Sequence, residues 1–221
     1  MNNSLGNSAR LFGAGLRALL VLTLVCGVLY PLAVTGVAQG LMPDRANGSE
    51  ITSNGRVAGS ELIGQRYDLP LEKGQETAAP DLKWFQPRPS NGLGTNSVNT
   101  QYKLILSGAT NRSGDNQELI DWVTAAKAAV VEDNSVPGHP VIPSQVPADA
   151  VTSSGSGLDP DISPAYAQLQ VRRVAERNHL DAGQVEKLVE QHTEGRILGF
   201  MGEPRVNVLQ LNIALKDLVE Q

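Results

Sequence analysis

The longest unbroken apolar pattern runs from Ala18 to Ala38, ALLVLTLVCGVLYPLAVTGVA, and carries no charged residue. At 1.5 Å per residue a helix of this stretch spans roughly 32 Å, against a bilayer hydrocarbon core of about 30 Å. It predicts a single membrane crossing over residues 18–41. Arg10 and Arg17 precede it and the first acidic residue is Asp44, so the bias of positive charge assigns residues 1–17 to the cytoplasm and residues 42–221 to the outside. A signal peptide cleaved after Gly36-Val37-Ala38 is the competing reading, but the run exceeds the usual apolar core of about 7–15 residues. Gly36 and Gly40 form a small-xxx-small pair suited to close helix contact. Pro31 removes a backbone donor in mid-span, which a partner helix or a local adjustment has to accommodate.

Beyond a short polar tether the pattern changes to that of an α+β domain. Ile51-Thr52-Ser53, Asn54-Gly55 and Arg56-Val57-Ala58 predict a β-hairpin, because a type I′ turn needs positive φ at both central positions. Gly59 to Gln65, GSELIGQ, carries the second strand into a turn. From Leu69 to Thr100 no period of 2 or 3.6 is sustained, which predicts a long ordered loop or a partner-binding surface. Its densest part is Lys83 to Ser90, KWFQPRPS. There a proline-fixed backbone either displays aromatics and a guanidinium or plugs the edge of the core.

About four helices follow. Asp115 with Glu118 reads as a capping box opening a helix with Leu119, Ile120, Val123, Ala126 and Val130 on its core face. Ser163 caps the next, with Pro164 in the first turn. Asp181 with Gln184 caps a third, which places Val185, Leu188, Val189 and His192 on one stripe. Asn207 with Gln210 caps the last, which buries Val208, Leu211, Leu215 and Leu218. The fold class is thus α+β: one N-terminal transmembrane helix, then one loop-rich extracytoplasmic domain with a short hairpin and about four helices.

Composition narrows the function. Residues 42–221 hold all 23 acidic and 16 of the 18 basic residues, a formal charge of −7. This gives no electrostatic reason to bind nucleic acid or anionic lipid. The one cysteine, Cys26, lies in the apolar span, so the outer domain has no disulfide and depends on its core or on a partner.

Catalytic readings find little support. Asp159-Pro160-Asp161 resembles the start of a calcium loop, but Pro164 and Gln170 stand where an EF-hand needs glycine and a bidentate glutamate. Ser153-Ser154-Gly155-Ser156-Gly157 lacks the Lys-Ser or Lys-Thr of a phosphate-binding loop. A membrane-tethered or secreted serine hydrolase using Ser154 or Ser156 is the rival reading, although no G-x-S-x-G elbow is present. His139, His179 and His192 show no spacing that pairs one with a serine, and no H-E-x-x-H exists. The Asp-Lys-Thr-Gly-Thr sequence of P-type pumps is absent as well. No metal or cofactor site is expected.

The segments YPLAVTGVAQ, GSELIGQ, WFQPRPS, VPADAVTSSGSGLDPDISPAYAQLQVRRV and QHTEGRILGFMGEPRVNVLQLNIAL together resemble KdpC, the small subunit of potassium-transporting Kdp ATPases. The resemblance covers nearly the whole chain in the family's order. Two places depart from it: residues 107–116 differ from the family's SGGSNLGPTN, with Asp115 for a threonine, and Asp161 stands where the family commonly has the histidine of LDPHIS. The resemblance implies a single-pass, non-catalytic subunit of the cell membrane that assembles with a potassium-channel-like subunit, a P-type ATPase subunit and a small single-helix subunit. Potassium and ATP then act at the level of the complex; an influence on nucleotide affinity has been proposed for the family. The outer domain is implied to sit over the potassium entrance. Candidate subunit contacts are Tyr30, Pro31, Gly36 and Gly40 in the span. In the domain they are Phe85, Arg88, Pro89, Ser154, Gly155, Gly157, Asp159, Pro160, Ser163, Gln170 and Arg173.

Overall fold

The computed structural model describes residues 3–70, 78–89, 93–95, 103–105, 107–108 and 111–220. Residues 71–77, 90–92 and 96–100, which the sequence assigns to the long loop, lie outside these, as do Ala109 and Thr110 of the divergent 107–116 segment. Contacts divide the chain into two units, Met1–Glu50 and Ile51–Gln221.

The first unit is helical nearly throughout. α1 (Asn3–Leu24) runs through a π-helical turn, Val25–Leu29, into α2 (Tyr30–Leu41). The Tyr30 amide reaches back five residues to Val25 O. This widening lies immediately before Pro31, whose missing N–H interrupts the regular ladder, and is a recognised way for a helix to absorb such a break. Helix Gly6–Leu41 is long and apolar enough to cross a membrane by length and composition. It begins well before Ala18, so the predicted span is the apolar part of a longer helix. A single turn, α3 (Pro43–Ala46), follows.

The second unit opens with β1 (Glu50–Ser53), whose first residue closes the first unit, and β1 pairs with β2 (Arg56–Ser60). Asn54 and Gly55 have φ of 52° and 73°, the positive values that the Asn-Gly signal requires. β3 (Leu93–Thr95) and β4 (Lys103–Ile105) form a second antiparallel pair, Gly94 opposite Leu104. Strands of three residues are too short to show a period of 2, which is why this stretch reads as loop.

α4 (Gln117–Asn134) starts one residue later than expected. The cap is Asn116, whose Oδ1 accepts from Leu119 N at 3.1 Å, not Asp115. The Asp115 carboxyl is instead held below the ordinary value by a hydrogen bond from Ser113 and one from its own backbone. Glu118 turns to Arg112 at 2.6 Å rather than back to the cap. Val130 is buried as expected; Ile120 is exposed, so the core face of α4 is narrower than its apolar pattern.

β5 (Asp161–Ile162) leads into α5 (Pro164–Asn178), capped by Ser163 as predicted. His179, left-handed at φ 58°, ends it. α6 (Ala182–Gln191) has the expected capping box of Asp181 and Gln184, and α7 (Val208–Val219) the expected Asn207 cap. His192 closes α6 half-buried, its Nδ1 2.9 Å from Leu188 O. β6 (Thr193–Glu194) and β7 (Arg205–Asn207) complete an antiparallel sheet in the order β5-β7-β6, Ile162 opposite Val206 and Val206 opposite Thr193. Helix α6 packs on both α5 and α7, and α5 and α7 contact β7 of this sheet. Val174, Val185, Val206, Leu211 and Leu215 are fully buried at their junction.

Candidate subunit-contact site

Segment 82–86 is held as a bound peptide would be, by side chains from α5 and α7. Asn212 matches both backbone groups of Phe85: its Oδ1 accepts from Phe85 N at 2.9 Å and its Nδ2 donates to Phe85 O at 2.9 Å. Gln170 does the same for Gln86, accepting from its N at 2.7 Å and donating to its O at 3.1 Å. Each amide thus supplies one donor and one acceptor, as a neighbouring strand would.

Arg173 completes the cradle. Its guanidinium donates to Leu82 O, to Trp84 O at 3.0 Å, to Gln170 Oε1 at 2.6 Å and to Asn134 Oδ1 at 2.9 Å. Asn178 donates to Lys83 O at 2.8 Å. Phe85, anchored at both backbone groups, is 0% exposed in the core.

Burial shapes the charges here. Desolvation lowers Arg173 to about 10, opposed by Tyr166, Asp133 and Asp81, so it stays a cation at neutral pH. Burial raises the Tyr166 phenol to about 12. The Asp133 carboxyl is raised by desolvation against the pull of Arg173 and Arg177. A cleft of about 330 Å³ opens beside them, with Arg66, Arg88, Asp133 and Tyr166 in its wall.

Arg88 joins the two stretches singled out from the sequence. Its Nη1 lies 2.9 Å from Asp159 Oδ2, and its Nε and Nη2 each donate to Thr152 O at 3.3 Å. The 152–163 loop is tied both within itself and to its neighbours. Ser154 Oγ accepts from Gly157 N at 2.9 Å and Ser156 Oγ from Leu158 N at 3.1 Å, with the two hydroxyls 3.2 Å apart. Pro160 O accepts from Val208 N at 3.1 Å. Asp149 takes Ser163 N at 2.7 Å and Ser163 Oγ at 2.9 Å while that hydroxyl caps α5. Asp161 pairs with Arg205 at 3.1 Å; its carboxyl is still raised, because burial outweighs that pairing.

The candidates therefore fall into three groups. Phe85, Gln170 and Arg173 are interior residues: Phe85 lies within the held segment, and Gln170 and Arg173 fix it from behind. Arg88, Pro89, Ser154, Asp159, Pro160 and Ser163 are half-buried along the clamped loops, Gly155 is exposed and Gly157 is buried with φ of 67°. Tyr30, Pro31, Gly36 and Gly40 are exposed on the helix of the first unit, where a Cβ at either glycine meets nothing within 4 Å.

Sequence reasoning missed Asn212, Asn134, Gln86 and Asp149. Asn212 carried a signal: it is a polar residue between Leu211 and Leu215 on the buried stripe of α7. It missed the reason for Gly64 as well, whose N donates to Leu158 O at 2.7 Å and where a Cβ would stand 2.5 Å from Asp159 O.

Comparison with known proteins decides the family. Residues 12–217 match the family model described as the K+-transporting ATPase, c chain. The chain belongs to the KdpC family. A potassium-transporting ATPase KdpC subunit of Streptomyces avermitilis is 75% identical over 99% of both chains. One from Streptomyces coelicolor is 72% identical over 99% of this chain and 97% of its own. One from Mycobacterium tuberculosis is 43% identical over 92% of this chain and 96% of its own. The similarity spans both units, so the apolar helix and the cradled segment belong to the part shared with KdpC relatives. Membership places the chain among the subunits of potassium-transporting ATPases, and its single apolar N-terminal helix fits anchoring in a membrane.

Proposed function

We propose that the chain is a non-catalytic accessory subunit of a high-affinity, ATP-driven potassium uptake pump, which stabilises the assembly of a channel-like subunit with a P-type ATPase subunit. In this reading its N-terminus is cytoplasmic, and residues 42–221 lie outside, over the potassium entrance. The observation that carries the reading is the full-length match to potassium-transporting ATPase subunits. The use of the buried polar groups supports it: Arg173, Gln170 and Asn212 are each spent on holding backbone. The serines of the rival hydrolase reading accept from loop amides, Ser154 from Gly157 and Ser156 from Leu158. On the first unit, a Cβ at Gly36 or Gly40 meets no neighbour among the described residues, whereas a closely packed partner helix would require small residues there.

Gly155 offers the clean test. It is exposed, a Cβ there meets nothing within 4 Å, and it has no positive φ, whereas Gly157 would be strained by any side chain. Gly155→Val is expected to leave the melting temperature of the purified chain unchanged and to lower recovery of partner subunits in mild detergent. Unchanged recovery removes this loop from the contact surface.

A further inference from the structure

Between β6 and β7 the chain leaves the sheet as a narrow finger, residues 195–204. Ile197 N donates to Met201 O at 2.9 Å and Met201 N to Ile197 O at 3.0 Å, while Gly199 N donates to Arg196 O at 3.0 Å. An ion pair between Arg196 and Glu203 at 2.7 Å closes the base. At the tip Ile197, Leu198, Phe200 and Met201 are 55%, 79%, 71% and 44% exposed. Among the described residues of the second unit no other five-residue run exposes four large apolar side chains. Leu198 holds φ of 52°, a left-handed backbone that non-glycine residues seldom adopt. An apolar side chain is thus kept at a tip position where glycine or asparagine would sit with less strain.

We propose that this finger dips into the lipid interface of the membrane to which the chain is anchored. The helix Gly6–Leu41 fits a membrane anchor, so a bilayer is the apolar phase at hand for every copy of the chain, joined to the second unit by the short stretch 42–49. Four of the five residues at its tip, Ile197 to Met201, are large, apolar and exposed. The Ile197 and Met201 backbones pair across it, Leu198 and Phe200 flank the turn, and the ionic groups stand at its base. That ordering matches the gradient from headgroups to acyl chains. Its reach from base to turn, about 7–10 Å for two to three extended residues, equals the depth of roughly 5–10 Å at which interfacial apolar elements sit. Residues 42–221 carry a formal charge of −7, so entry is driven by apolar burial and not by anionic headgroups. The inference rests on the membrane anchor alone, so it stands or falls separately from subunit assembly.

Nitroxide labels at Leu198→Cys and, separately, Phe200→Cys test it. They are placed in a Cys26→Ser full chain in zwitterionic nanodiscs, with Glu176→Cys on the exposed face of α5 as the reference. Collision with oxygen relative to a water-soluble nickel chelate is expected to be several-fold higher at both tip positions than at the reference, and to persist at high salt. Reference-like nickel access at both positions overturns the proposal. The same labels are read in the co-purified complex. Shielding from both reagents there marks a socket in a partner protein and overturns the lipid assignment. If no partner co-purifies, the free-chain reading still decides.

Discussion

Arg173 shows how much of this domain depends on single polar residues. It is 1% exposed and touches segment 82–84, α4 and α5 at once. Replacing it with methionine keeps the volume but leaves the Leu82 and Trp84 carbonyls and Asn134 short of a donor; each loss of this kind costs about 1–3 kcal/mol. Arg173→Met is therefore expected to destabilise the chain by roughly 3 kcal/mol or more in urea unfolding followed by tryptophan fluorescence. Arg173→Lys is expected to recover little, because an ammonium cannot serve the same fork of acceptors.

Asp133, beside it, gives a pH signature. Desolvation raises its carboxyl above 3.8 in the folded chain, so the native state holds the proton more tightly than the unfolded state does. Its contribution to stability is therefore full below 3.8 and is lost as pH rises through the raised value. Asp133→Asn is expected to flatten the stability profile across that window without loss at neutral pH, measured as melting temperature against pH. These two residues were only half legible in the sequence. Arg173 stood out within a motif, but its buried role depends on carbonyls about ninety positions earlier, a long-range pairing that no local pattern records.

The secondary elements follow a simpler rule. Caps at Ser163, Asp181 and Asn207 and the Asn54-Gly55 turn were legible because each is fixed within four residues by its own side chain or φ. The start of α4 slipped by one residue because Asp115 and Asn116 are both capable caps and only the geometry chooses Asn116. The β5-β7-β6 sheet was not legible, since strands of two and three residues give no alternation to read. Gly64 ties the β2 turn to the 152–163 loop by backbone contact alone, so the test belongs to the elements. Gly64→Ala places a methyl against Asp159 O and is expected to cost about 1–3 kcal/mol, seen as a lowered urea midpoint with an unchanged slope. An unaltered midpoint would mean that the loop yields without cost.

For the whole molecule, the apolar helix announced itself by length and charge, and the full-length family match fixed the chain among the KdpC subunits. What a single sequence withholds is the outer face of the molecule, because residues that serve a partner look like ordinary surface until the partner is present. Within the chain, Arg88 brings together the two stretches proposed as contacts, 83–90 and 153–164, by its bonds to Thr152 and Asp159. The most direct test of the accessory-subunit account is purification of the tagged full chain from its native membranes, with identification of what accompanies it and assay of potassium-stimulated ATP hydrolysis with and without it. The account predicts that a channel-like subunit and a P-type ATPase subunit are recovered in fixed proportion and that activity falls when the chain is removed. Recovery of the chain alone, or of hydrolase activity intrinsic to it and abolished at Ser154 or Ser156, would contradict it.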